Sequence, residues 1–77
     1  MYTSKRFRLK QEILGIEILN HGRVAVTVAA GQIVQVVSGP RADDPGMIDV
    51  LWGERTLAVF AGDLDLRGEE IRSHGAS

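Results

Sequence analysis

Cysteine is missing from this chain. That excludes a disulfide framework, a thiolate nucleophile and Cys-ligated zinc, and leaves stability to apolar packing, supplemented by self-association. It also suits a cytoplasmic protein. Proline occurs only at Pro40 and Pro45, so no proline interrupts a hydrogen-bond ladder outside that stretch. Aromatic residues are few, with a single tryptophan, Trp52. No run approaches the ~20 apolar residues of a membrane span, and no apolar stretch follows the first basic residues as a secretion signal requires. The chain therefore reads as soluble and unprocessed.

Signatures of catalysis and of metal binding are absent too. His21 falls in a predicted turn and His74 in the terminal segment, neither with a partner placed to make it an acid or base. Asp63-Leu64-Asp65-Leu66-Arg67-Gly68 has the opening acids of a calcium loop. Arg67, however, sits where an oxygen ligand is needed and no acid closes the loop, so helix capping and surface charge account for it. No enzymatic activity and no cofactor are expected.

What is present is β-branched and alternating. The 77 residues make one domain, with 1–6 and 72–77 read as flexible tails. Arg6-Phe7-Arg8-Leu9-Lys10 alternates charge and bulk, which suits an edge strand with Phe7 and Leu9 on one face. Leu9, Ile13 and Ile16 also fit one face of a short helix. Glu12 to Leu19 reads as a strand with Leu14, Ile16 and Ile18 inward and Glu17 outward. It turns at Asn20-His21-Gly22 into Arg23 to Val28, whose Val24, Val26 and Val28 alternate with Arg23, Ala25 and Thr27.

Gln32 to Val37 follows, with Val34 and Val36 inward. Ser38 to Gly46 holds both prolines plus Gly39 and Gly46, and is the predicted binding loop. Ile48, Val50 and Trp52 share the next inward face, and a two-residue Gly53-Glu54 turn leads into Arg55 to Phe60. A single 3₁₀ turn near Asp63, burying Leu64 and Leu66, and a short strand from Arg67 to Ile71 complete the pattern. The fold class is all-β: a small barrel of five to six short antiparallel strands.

Gly31-Gln32-Ile33-Val34-Gln35-Val36-Val37-Ser38-Gly39-Pro40, a loop, and Gly46-Met47-Ile48-Asp49-Val50 together resemble the KOW motif of SH3-like barrels in ribosomal proteins and transcription elongation factors. The order of strand, turn, strand, long loop, hairpin, 3₁₀ turn and final strand is likewise similar to the SH3-like superfold. Short bacterial proteins of unassigned role share the style of Asp49-Val50-Leu51-Trp52 and of the run from Phe60 to Gly68. The resemblance implies an interaction module and, in the KOW case, RNA binding. The loop departs from that pattern, since Arg41-Ala42-Asp43-Asp44-Pro45-Gly46 carries one Arg and two Asp where phosphate binding calls for cations. Type II dihydrofolate reductases are also SH3-like barrels of this size. Leu57-Ala58-Val59-Phe60 keeps the apolar pattern of their pore segment but lacks its amide and phenol.

Charge is distributed unevenly. Lys5, Arg6, Arg8 and Lys10 supply four of the nine basic groups, while residues 41–77 hold eight of the ten acidic ones. A solvated surface explains this. The alternative is a weak nucleic-acid or ribosome-associated face built from Arg6, Arg8, Lys10, Arg23 and Arg41. Asp43, Asp44 and Trp52 complete the candidate binding residues, Trp52 as a stacking platform or as core. The expected function is binding of a protein partner or of a second copy. Ile13, Leu19, Ile33, Val37, Met47 and Leu51 fall outward in this scheme. The segment Phe7 to Leu9, or another copy, is expected to cover the patch formed by Ile33, Val37, Met47 and Leu51.

Overall fold

A computed structural model describes residues 5–40 and 45–71. The elements are β1 (Arg6–Leu9), β2 (Ile13–Leu19), β3 (Gly22–Val28), β4 (Ile33–Ser38), β5 (Met47–Trp52), β6 (Arg55–Phe60), α1 (Ala61–Arg67) and β7 (Gly68–Ile71). The seven strands form one antiparallel sheet in the order β3-β2-β6-β5-β4-β1-β7. The all-β class stands, with seven strands among the described residues rather than five or six.

Chain connectivity forces this sheet to curl. Only residues 10–12 link β1 to β2, and four residue steps span at most about 14 Å. Laid flat, the same two strands would be four spacings, about 19 Å, apart. The turn at 10–12 is fastened by the end of α1: the Arg67 carbonyl accepts the Lys10 N–H at 2.7 Å, and Arg67 Nη1 donates to the Glu12 carbonyl at 3.4 Å.

The concave face collects Phe7 and Leu9, Val34 and Val36, Ile48 and Val50, Leu57 and Val59, Ile13 and Val28, with Leu64 of α1 closing the cluster. These residues alternate along each strand because successive side chains point to opposite faces. The inward readings of Val34, Val36, Ile48, Val50 and Val28 hold, and Trp52 and Val26 pack on the same core partly buried. Val24 shares their parity but lies out along the hairpin, exposed.

Several expectations are corrected. Arg6 belongs to β1 and the Lys5 carbonyl accepts the Val36 N–H at 2.8 Å, so the flexible tail does not extend to residue 6. Its remainder, 1–4 and 72–77, lies outside the described residues. β1 is a strand, not a helical turn, and is interior, between β4 and β7. Phe7 and Leu9 are therefore core residues and do not cover the β4–β5 exterior.

In β2 the parity is reversed. Ile13 is 2% exposed and Gly15 buried, while Leu14 and Ile18 are 49% and 56% exposed. Gly15 sets this register, because a Cβ there would stand 3.1 Å from Leu57 Cδ1 and 3.3 Å from Val59 Cγ1. Glycine lets β2 lie this close to the side chains of β6 without displacing them. Glu17, on the same parity, consequently faces inward.

Met47 has outward parity yet is buried, and Leu51 is half-buried, whereas Ile33 and Val37 are exposed. Val37 is the extra residue where the β4–β5 register shifts between Val36 and Ser38. The predicted 3₁₀ turn is a seven-residue α-helix with Asp63 in its first turn and Arg67 in its last, both favourable to the helix dipole. It buries Leu64 alone, leaving Leu66 72% exposed. The Gly68 N–H bonds the Leu64 carbonyl and the chain then turns extended into β7.

Candidate interaction surface

The β2–β3 hairpin is unequally supported. All seven residues of β2 pair with β3, but only Gly15 and Ile16 pair with β6, opposite Val59 and Ala58. The hairpin therefore projects past the core. On its concave side, four side chains make a continuous chain from Gln32 to Glu17. The indole Nε1–H of Trp52 donates to Gln32 Oε1 at 3.1 Å. Arg55, opposite Trp52 across the two-residue Gly53-Glu54 turn, holds its guanidinium carbon 5.4 Å from the ring centroid. Its Nη2 donates to Glu17 Oε1 at 2.6 Å.

That bond lowers the Glu17 carboxyl below its ordinary value and raises the Arg55 guanidinium above its own, each by charge-assisted hydrogen bonding against a smaller desolvation effect. With its N–H engaged and Arg55 against its ring, Trp52 serves here as a tie between β5, β6 and the hairpin.

The basic candidates do not converge. Arg6 and Arg8 lie on the convex side of β1, both exposed, with exposed Lys10 just beyond the strand. Their neighbour is the acidic strand β7: Arg8 stands opposite Glu69, and Lys5 Nζ is 3.9 Å from Glu70 Oε1. Arg23 lies beside the turn of the β2–β3 hairpin, opposite Ile18 and so five residues along β2 from Ile13, the end that the 10–12 turn ties to β1. Arg41, Asp43 and Asp44 fall outside the described residues.

The hairpin also builds an apolar surface of a composition the sequence reading did not assign. On the convex side Ile16 faces Ala58, so in an antiparallel pair Leu14 comes level with Phe60 and Ile18 with Thr56. Phe60 itself faces Met47 and is 50% exposed. Leu14, Ile18 and Phe60 thus lie on two neighbouring strands with half or so of each side chain in solvent. The signal was available in Ile13-Leu14-Gly15-Ile16-Glu17-Ile18-Leu19. The run has apolar residues on both parities and an internal glycine, which marks a strand crowded on one face and apolar on the other.

Among the described residues no cluster of three or more His, Cys, Asp or Glu could hold a metal ion. Among the same residues no helix is long and apolar enough to cross a membrane. Comparison with protein-family models, with curated proteins and with solved structures returns no match.

Proposed function

We propose that this chain is a non-enzymatic interaction module of the SH3-like kind whose partner is another polypeptide. The observation that carries this reading is the convex apolar row of Leu14, Ile18 and Phe60 on adjoining strands. Single exposed apolar residues need no explanation, but contiguous ones are characteristic of protein-binding surfaces. The SH3-like part is supported by the order strand, long connection, hairpin, short helix and final strand, with that final strand returning to pair with β1.

Nucleic-acid binding, the alternative, would rest on Arg6, Arg8 and Lys10. Glu69 and Glu70 oppose that field from the adjacent strand. A reductase-like pore finds little support in Leu57 and Val59, which are spent in the core.

The test is capture from native lysate by the full tagged chain, with and without nuclease, beside a Leu14→Ser, Phe60→Ser variant. Both side chains are about half exposed, so the variant is expected to keep its far-UV circular dichroism. A specific protein retained after nuclease and lost with the variant is the expected result. Capture abolished by nuclease and indifferent to the variant would replace the protein reading by the nucleic-acid one.

A further inference from the structure

The backbone of β3 carries more information than its side chains. The Ala61 N–H donates to the Gly46 carbonyl at 2.8 Å, so Gly46 and Ala61 form a hydrogen-bonded pair beside the Met47–Phe60 pair. Bonded and non-bonded pairs alternate along an antiparallel ladder. Ile48–Val59 and Val50–Leu57 are then bonded pairs, and the N–H and C=O of Ala58 turn away from β5 toward β2. There they meet Ile16, whose own backbone groups are thereby used on β6 and not on β3. Opposite Ile16 on β3 stands Ala25. The N–H and C=O of Ala25, and by alternation those of Arg23 and Thr27, consequently project from the outer edge of the sheet.

The two sheet edges are unlike. β7 has four residues and carries Glu69 and Glu70, the short, charged kind of edge that resists pairing. β3 has seven residues, and Val24-Ala25-Val26-Thr27-Val28 contains neither charge nor proline. We propose that this edge pairs with β3 of a second copy, antiparallel about Ala25, joining the two sheets across a twofold axis. The proposal rests on the polypeptide-binding reading above and names the partner.

Register and charge point to a copy rather than a foreign strand. Among antiparallel self-pairings, the one centred on Ala25 alone overlaps all seven residues. It sets Ala25, the smallest of residues 23–28, on the axis, Val24 beside the second copy's Val26, and Arg23 beside the second copy's Thr27. A register centred on Arg23 would instead oppose two like charges. Three bonded pairs then give about six hydrogen bonds, within the range of a typical protein interface. The exposed Ile18 and Leu14 flank Arg23 and Thr27 on the same face, so pairing also extends the convex apolar surface across the axis.

The test uses the full chain. Light scattering across micromolar to millimolar concentration is expected to show a dimer, twice the 8.4 kDa monomer mass. Ala25→Pro removes an N–H that β2 does not use, so the hairpin is expected to persist by circular dichroism while the dimer is lost. Ala25→Lys places two ammonium groups at the axis and is expected to weaken association about a hundredfold or more. Because the chain has no cysteine, Ala25→Cys gives a single thiol. Its axial Cα–Cα separation of about 5.5 Å permits a disulfide, and oxidation is expected to yield a covalent dimer that Thr27→Cys does not form.

A wild-type chain monomeric at millimolar concentration, a dimer indifferent to both Ala25→Pro and Ala25→Lys, or equal cross-linking by the two cysteine variants would overturn the self-pairing. If it fails while capture dependent on Leu14 and Phe60 persists, the general protein-binding reading stands without it.

Discussion

At Gly39 the backbone sits at φ +126°, and a Cβ would approach Ile48 Cγ2 to 2.8 Å and Ile48 Cα to 2.9 Å. Left-handed strain and a clash with backbone act together there, so Gly39→Ala is expected to destabilise the fold by about 1–3 kcal/mol, measured by urea unfolding. The Glu17–Arg55 pair makes a different demand. Glu17 is held below its ordinary carboxyl pKa, so its contribution is present above the unfolded-state value and lost as pH falls through the folded one. Thermal midpoints of wild type and Glu17→Gln should therefore differ at neutral pH and converge in acid, below the normal carboxylate range. A difference that persists there would show that the pair is not its source. Gly39, beside Pro40, was legible as a loop position. The partnership of Glu17 was not, because it joins residues 38 apart and depends on the parity that Gly15 imposes on β2.

β1 is held on both sides, by β4 and by β7, and contributes Phe7 and Leu9 to the core. Deleting residues 1–10 should therefore abolish the cooperative fold. Far-UV circular dichroism and thermal melting check this, and a truncated chain that melts like the intact one would contradict the placement of β1. β4 and β5 could be oriented from sequence because a polar residue, Gln35 or Asp49, breaks the apolar run on one parity and leaves Val34 and Val36, or Ile48 and Val50, on the other. β2 could not, since Ile13 and Leu14 are both large and apolar and only the approach of Leu57 and Val59 to Gly15 decides which is buried. The length of α1 was likewise hidden. Leu64 and Leu66 look equivalent in sequence, but a helix can bring only one of them onto the sheet.

For the molecule as a whole, the all-β class was readable from period-two patterns and closely spaced turns, whereas the charge layout was not. Cations near one end of the sequence and acids near the other suggest a polar molecule, yet the β1–β7 pairing sets Arg8 against Glu69 and brings Lys5 to Glu70. Any binding to a labelled RNA should thus be micromolar or weaker and fall steeply with added salt, as anisotropy would report. Tight, salt-insensitive binding would mean that another surface is used.

The same β1–β7 pairing bears on how the chain can be cut and rejoined. Arg6 and Ile71 are opposite one another at matching strand ends, which is the geometry of a hairpin lacking its loop. An Asn-Gly dipeptide placed between Ile71 and Arg6 would supply that loop as a tight turn. New ends could then be opened in the exposed Gly53-Glu54 turn. Such a circular permutant, beginning at Glu54 and ending at Gly53, is expected to reach the same β-rich spectrum with cooperative melting. A permutant that stays unfolded would show that β5 and β6 need their covalent turn to find each other.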